Sequence, residues 1–135
     1  MSSILYTKGY KYQLWRPVRV QTAVTGFSVD HDIFNLHSDG TLVVRRPYAW
    51  DGPSGPTFDT RSSMRASLVH DVGYQMIRLG LIPRETRPLW DLELYKIGLE
   101  DGMWKIRVKL WYRAVSRFAA ESAHPDSVKK VYTAP

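Results

Sequence analysis

One stretch limits what this chain can fold into more than any other: Ala66-Ser67-Leu68-Val69-His70-Asp71-Val72-Gly73-Tyr74. It places an imidazole, a carboxylate and a phenol inside an otherwise apolar helical pattern. His70, Gly73, Tyr74 and Ile77 recur at helical spacing and share one face, with Asp71 one residue to the side. A carboxylate in such a helix is costly unless a metal, a cation or a set of hydrogen-bond donors pairs with it. The plain alternative is a satisfied core histidine beside a surface aspartate. Two flanking features favour chemistry: the loop Tyr48-Ala49-Trp50-Asp51-Gly52-Pro53-Ser54-Gly55-Pro56 before the helix, and an acidic helix opening at Pro88-Leu89-Trp90-Asp91 after it.

The chain has 135 residues, the size of one domain with a real core. No apolar run is long enough to span a membrane, and the first residues lack the apolar region of a secretory leader. Cysteine is absent, which excludes disulfides and thiolate metal sites. The net charge of +6 favours acidic partners, whether nucleic acid, anionic lipid or an acidic protein face.

The expected fold is α+β, a small antiparallel sheet followed by a three-helix unit. Val18 to Val24 alternates as a half-buried strand does. Ile33–Leu36 and Thr41–Val44 flank His37-Ser38-Asp39-Gly40, a hairpin signal. The sheet is therefore assigned to residues 10–46. Prolines and glycines interrupt residues 47–60, so regular structure is expected to stop there. Glycines 52 and 55 let main-chain carbonyls turn toward a cation, as they also permit any tight turn.

The helical unit is expected over 62–121. Ser62 or Ser63 is the expected N-cap of its first helix. Met64, Leu68, Val72, Met76 and Leu79 form its apolar stripe, and Gly80 its stop. Thr86 is the expected cap of the second helix, with Pro88 in its first turn. Trp90, Leu94 and Ile97 occupy one flank of that helix and Asp91, Tyr95 and Gly98 another. In the third helix Trp104, Val108, Trp111, Val115 and Phe118 line one side, and Lys105, Lys109 and Arg113 another. Residues 122–135 read as an extended tail.

The elements Trp50-Asp51-Gly52-Pro53-Ser54-Gly55, His70-Asp71-Val72-Gly73-Tyr74, Arg84 and Arg87, Asp91, and Gly102-Met103 before Tyr112-Arg113-Ala114-Val115 occur in this order. Over residues 33–120 they resemble a phage and prophage family known as a domain of unknown function. The resemblance implies a phage origin and supplies no activity.

A second resemblance is to calcium-dependent phospholipases, particularly those borne by parvovirus capsids, in which a glycine-rich loop precedes a His-Asp-x-x-Tyr helix. It implies that His70 is the general base activating water and that Asp91 orients its imidazole. It also implies that Tyr74 supports the site by hydrogen bonding, and that Asp71 ligates calcium with main-chain carbonyls around Trp50, Gly52 and Gly55. Asp51 adds a carboxylate where those loops offer main chain, and two prolines stand where they have mostly glycine. In a simple antiparallel hairpin His70 and Asp91 would miss each other by roughly 10 Å along the axes. The connector 81–87 must therefore climb back along the first helix.

Two functions follow as expectations. One is a virion-associated structural or accessory protein of a tailed phage, in the tail or baseplate, docking to other virion proteins or to itself. Its expected location is the virion, or the host cytoplasm before assembly, and the polar cluster would then fix helix packing. The other is an active calcium-dependent acyl-ester hydrolase on host membrane lipid, with Lys105, Lys109 and Arg113 facing anionic headgroups. Nucleic-acid binding is not expected, because the basic residues are spread along the chain and no binding motif is present.

Overall fold

A computed structural model describes residues 6–9, 11–46, 48–50 and 61–118. They fall into two compact units, one within residues 1–51 and one within 52–129. The class is α+β, with antiparallel sheets first and three helices after them.

The first unit holds two sheets instead of the one expected. Strands β1 (Tyr6–Gly9) and β2 (Lys11–Leu14) pair antiparallel, with Tyr6 opposite Leu14. Strands β3 (Val18–Gln21), β4 (Val29–Asp30), β5 (Phe34–Leu36) and β6 (Thr41–Val44) form a four-stranded sheet of order β3-β6-β5-β4. Val18 and Val20 face its core while Arg19 and Gln21 face out, as the alternation predicts. The Asp39-Gly40 turn joins β5 to β6, with the Asp39 carboxylate accepting from the Thr41 amide at 2.9 Å.

A seventh strand, β7 (Ala49–Trp50), lies inside the stretch expected to be irregular and completes a β1-β2-β7 sheet. Its reason is aromatic packing. Trp50 lies opposite Tyr12 with ring centroids 5.7 Å apart, Tyr48 stacks on Trp50 at 6.4 Å, and Phe34 meets Tyr48 edge-on. Burying rings of this size is a large favourable contribution. Residues 51–60 lie outside the described residues.

The second unit is built around α1 (Arg61–Arg78), followed by α2 (Arg87–Glu100) and α3 (Lys105–Phe118). Met64, Leu68, Val72 and Met76 are buried as the stripe predicts, but burial continues through Ser63, Arg65, Ser67, His70 and Gln75, so α1 is enclosed on nearly every side. Only the end of the stripe departs, since Leu79 lies beyond the last turn and is exposed.

The helix boundaries correct several expectations. Ser62 and Ser63 sit inside the first turn of α1, because the helix begins at Arg61. Gly80 does end α1, at a φ of +73°. Its amide donates to the Ile77 carbonyl and the Leu81 amide to that of Met76, the paired bonds of a Schellman stop. Thr86 does not cap α2. Its hydroxyl donates back to the Pro83 carbonyl at 2.7 Å and closes a 3-10 turn over Arg84–Thr86 that runs straight into α2.

In α3, Val108, Trp111 and Val115 are buried as expected. Trp104 is not. It precedes the helix, its carbonyl accepts the first helical bond from Val108, and helical periodicity does not govern where its side chain goes. The side chain of Phe118 and residues 119–135, the expected tail included, lie outside the described residues.

The 3-10 turn brings His70 and Asp91 level. His70 lies eight residues inside the end of α1, about 12 Å. Asp91 lies four residues into α2, about 6 Å, and the three residues of the 3-10 turn add about 6 Å more. The helices approach closely where Gly73 faces Trp90. A Cβ on Gly73 would stand 2.2 Å from Trp90 Cδ2, and the indole is fully buried. The far end of the pair is fixed by Arg65, which donates to Glu100 at 2.8 Å and to both oxygens of Asp101 at 2.9 and 3.0 Å.

Alanine normally stabilises a mid-helix glycine position by about 1 kcal/mol. Gly73→Ala is expected to do the opposite, destabilising by about 1–3 kcal/mol because the rigid indole cannot retreat. Urea denaturation checks this, and a neutral or stabilising Gly73→Ala would contradict the close approach.

Candidate active site

Three of the expected site residues come together within the helical unit. Asp91 is 1% exposed, and its carboxylate is the hub. Oδ1 lies 2.7 Å from His70 Nε2 and accepts from the Tyr74 hydroxyl at 2.6 Å. Oδ2 accepts from Arg87 Nη1 at 3.0 Å. His70 and Tyr74 present these groups together because they lie one helical turn apart, their rings tilted against each other at 4.2 Å. Asp91 reaches them because α2 crosses α1 at Gly73 and Trp90, the adjoining positions.

A carboxylate ion-paired to a guanidinium is an acceptor only, so the proton between His70 and Asp91 sits on Nε2. In the neutral form of the imidazole the lone pair is then on Nδ1, for which no hydrogen bond to a described residue is present. His70 itself is buried, at 6% exposure. Burial raises the Tyr74 hydroxyl well above its ordinary value, and the hydrogen bond and charge of Asp91 raise it further, against a smaller opposing effect of Arg87. Tyr74 therefore works as a fixed donor.

Arg87 is the member that sequence reasoning left without a role. Its signal was the Arg87–Asp91 spacing of four residues on one helix. Arg87 also reaches the Ser116 carbonyl at 3.4 Å, which links the cluster to α3.

The expected metal ligands are placed less completely. Asp71 follows His70 on α1 and is half-buried. Trp50 lies in β7, in the other unit, its indole packed on Tyr12 and Tyr48. Asp51, Gly52 and Gly55 lie outside the described residues. Among the described residues no group of three or more acidic or histidine side chains could hold a metal. Asp91 is not a ligand candidate, since both its oxygens are occupied by donors. Asp71, a hard oxygen donor, already has an interaction of its own within the structure.

No protein-family model matches the chain, and no curated protein or solved structure matches it.

Two predictions follow from the cluster. Asp91→Ala removes the common acceptor of three donors and is expected to destabilise the protein by about 3–5 kcal/mol, measured by urea denaturation. The second concerns alkaline pH. The folded state holds the Tyr74 proton where an unfolded tyrosine, with its ordinary value of 10.0, releases it. This contribution to stability is whole below pH 10 and is lost as pH rises beyond it. The stability of wild type should therefore fall more steeply than that of Tyr74→Phe between pH 9 and pH 11, and parallel curves would show that Tyr74 is not held as described.

Proposed function

We propose that this chain is a hydrolase of acyl esters in lipid, assisted by calcium, and an accessory protein of a tailed-phage virion. One observation carries the chemistry. His70 is tied through Nε2 to a buried carboxylate that Tyr74 also holds, which leaves Nδ1 as the nitrogen able to take a proton. The phage setting is supported by the sequence resemblance over residues 33–120.

In this reading Nδ1 of His70 accepts a proton from water as the water oxygen bonds to the ester carbonyl carbon. The imidazolium so formed is stabilised by Asp91, which remains ionised and keeps the ring in place. When the tetrahedral intermediate collapses, the carbon–oxygen bond to the alcohol breaks and His70 returns its proton to the departing oxygen. The products are a carboxylic acid and an alcohol. Arg87 and Tyr74 act as positioning residues that keep Asp91 aimed at Nε2. The phospholipase resemblance makes Asp71 a calcium ligand, and the ion would supply positive charge to the ester carbonyl.

A second reading is favoured by the closure of the cluster. Asp91 is fully satisfied by three donors, and Arg87 extends the network to α3, so the same residues would serve an assembly protein as a device that locks three helices.

Ester release from phosphatidylglycerol vesicles with calcium present separates the two readings. For a hydrolase, His70→Asn is expected to lower kcat by about 10²–10⁴-fold while the protein stays folded. Asp71→Asn should remove the calcium dependence of the rate. No turnover by the wild-type protein at any calcium concentration would overturn the hydrolase reading and leave the packing role.

A further inference from the structure

The outward side of α3 is not built like that of a helix whose surroundings are water alone. Ile106, Leu110 and Arg113 recur at i, i+4 and i+7 and so share a face, opposite the buried Val108, Trp111 and Val115. Ile106 is 70% exposed and Leu110 53%, while Trp104 stands at the N-terminal end at 79%. Single exposed apolar residues are ordinary, but Ile106 and Leu110 are neighbours on one helix face and together make an apolar strip there.

The charge carried by the helix itself has one sign. The helix Lys105–Phe118 carries Lys105, Arg107, Lys109, Arg113 and Arg117 and no carboxylate. Before the helix, Glu100 and Asp101 are taken up by Arg65.

We infer that this face of α3 docks on the surface of an anionic phospholipid bilayer. The combination selects that partner. Cations gain on the order of 1 kcal/mol each near an anionic leaflet. Isoleucine and leucine enter the acyl boundary, and an indole settles at headgroup level. A nucleic acid would use the cations but would leave Ile106 and Leu110 in water. A second copy of the helix laid face to face would set cation against cation. No helix among the described residues is long and apolar enough to cross a membrane, so the contact is one of lying on the surface. The inference rests on α3 and stands apart from catalysis at His70.

Co-sedimentation with vesicles, in chelator so that calcium takes no part, tests it. Phosphatidylcholine vesicles are compared with mixed phosphatidylcholine and phosphatidylserine vesicles. The full chain is expected to bind the mixed vesicles at least tenfold more tightly, with a blue shift of tryptophan fluorescence that Trp104→Ala diminishes. Lys105→Gln, Lys109→Gln and Arg113→Gln together should weaken binding by about a hundredfold. Ile106→Ser with Leu110→Ser should weaken it at least tenfold with the melting temperature unchanged. His70→Asn should bind as wild type does, which separates docking from catalysis. Equal affinity for the two vesicle types, or no binding to either, would overturn the inference. So would vesicle binding that the Ile106 and Leu110 changes leave intact while a single-stranded oligonucleotide competes for the cations.

Discussion

A single buried carboxylate organises the helical unit. Asp91 is removed from water on a helix that packs against α1, and a bare carboxylate there would cost several kcal/mol. Three donors from two helices remove that cost, and each requires a particular alignment. His70 and Tyr74 must be one turn apart on α1, Arg87 must be one turn before Asp91 on α2, and the two helices must be level. The 3-10 turn Arg84–Thr86 and the Gly73–Trp90 contact supply the level and the closeness. The polar cluster and the apolar packing thus specify the same register, the agreement across levels that gives a sequence one structure.

The same alignment gives the imidazole its chemical character. A histidine with both nitrogens engaged is a structural residue, whereas one anchored through Nε2 alone keeps a basic nitrogen whose direction is set by its anchor. The buried Asp91 carboxylate, paired with the partly exposed Arg87 and bonded by Tyr74, holds that anchor. The proposed hydrolysis needs Asp91 as an orienting group, and its geometry leaves it no other part. Docked as proposed, the α3 face would hold the proposed hydrolase at the interface where its substrate lies.

Much of this was legible in the residues. Helical spacing alone put His70 and Tyr74 on one face, and the cost of burying a carboxylate pointed to partners. The departures have physical causes. Strand β7 was hidden because prolines and glycines dominate its surroundings, while its stability comes from Tyr12 and Phe34, distant in sequence. Thr86 was expected to cap because it stands where a cap would stand, but the 3-10 turn takes its hydroxyl first. The burial of Arg65 and Ser67 on α1 has no periodic signal, since it depends on Glu100, Asp101 and the chain's own carbonyls. Arg87 carried a readable signal, its four-residue spacing to Asp91, and lacked only the knowledge that Asp91 is buried.

The claim on which the functional account turns is the state of the His70 ring, and long-range proton–nitrogen correlation spectroscopy of the imidazole reads it directly. The account predicts that the neutral ring carries its proton on Nε2, with a pyridine-like Nδ1, and that Asp91→Asn perturbs this preference. A neutral ring protonated on Nδ1 would contradict it, because the nitrogen assigned to take a proton from water would already hold one.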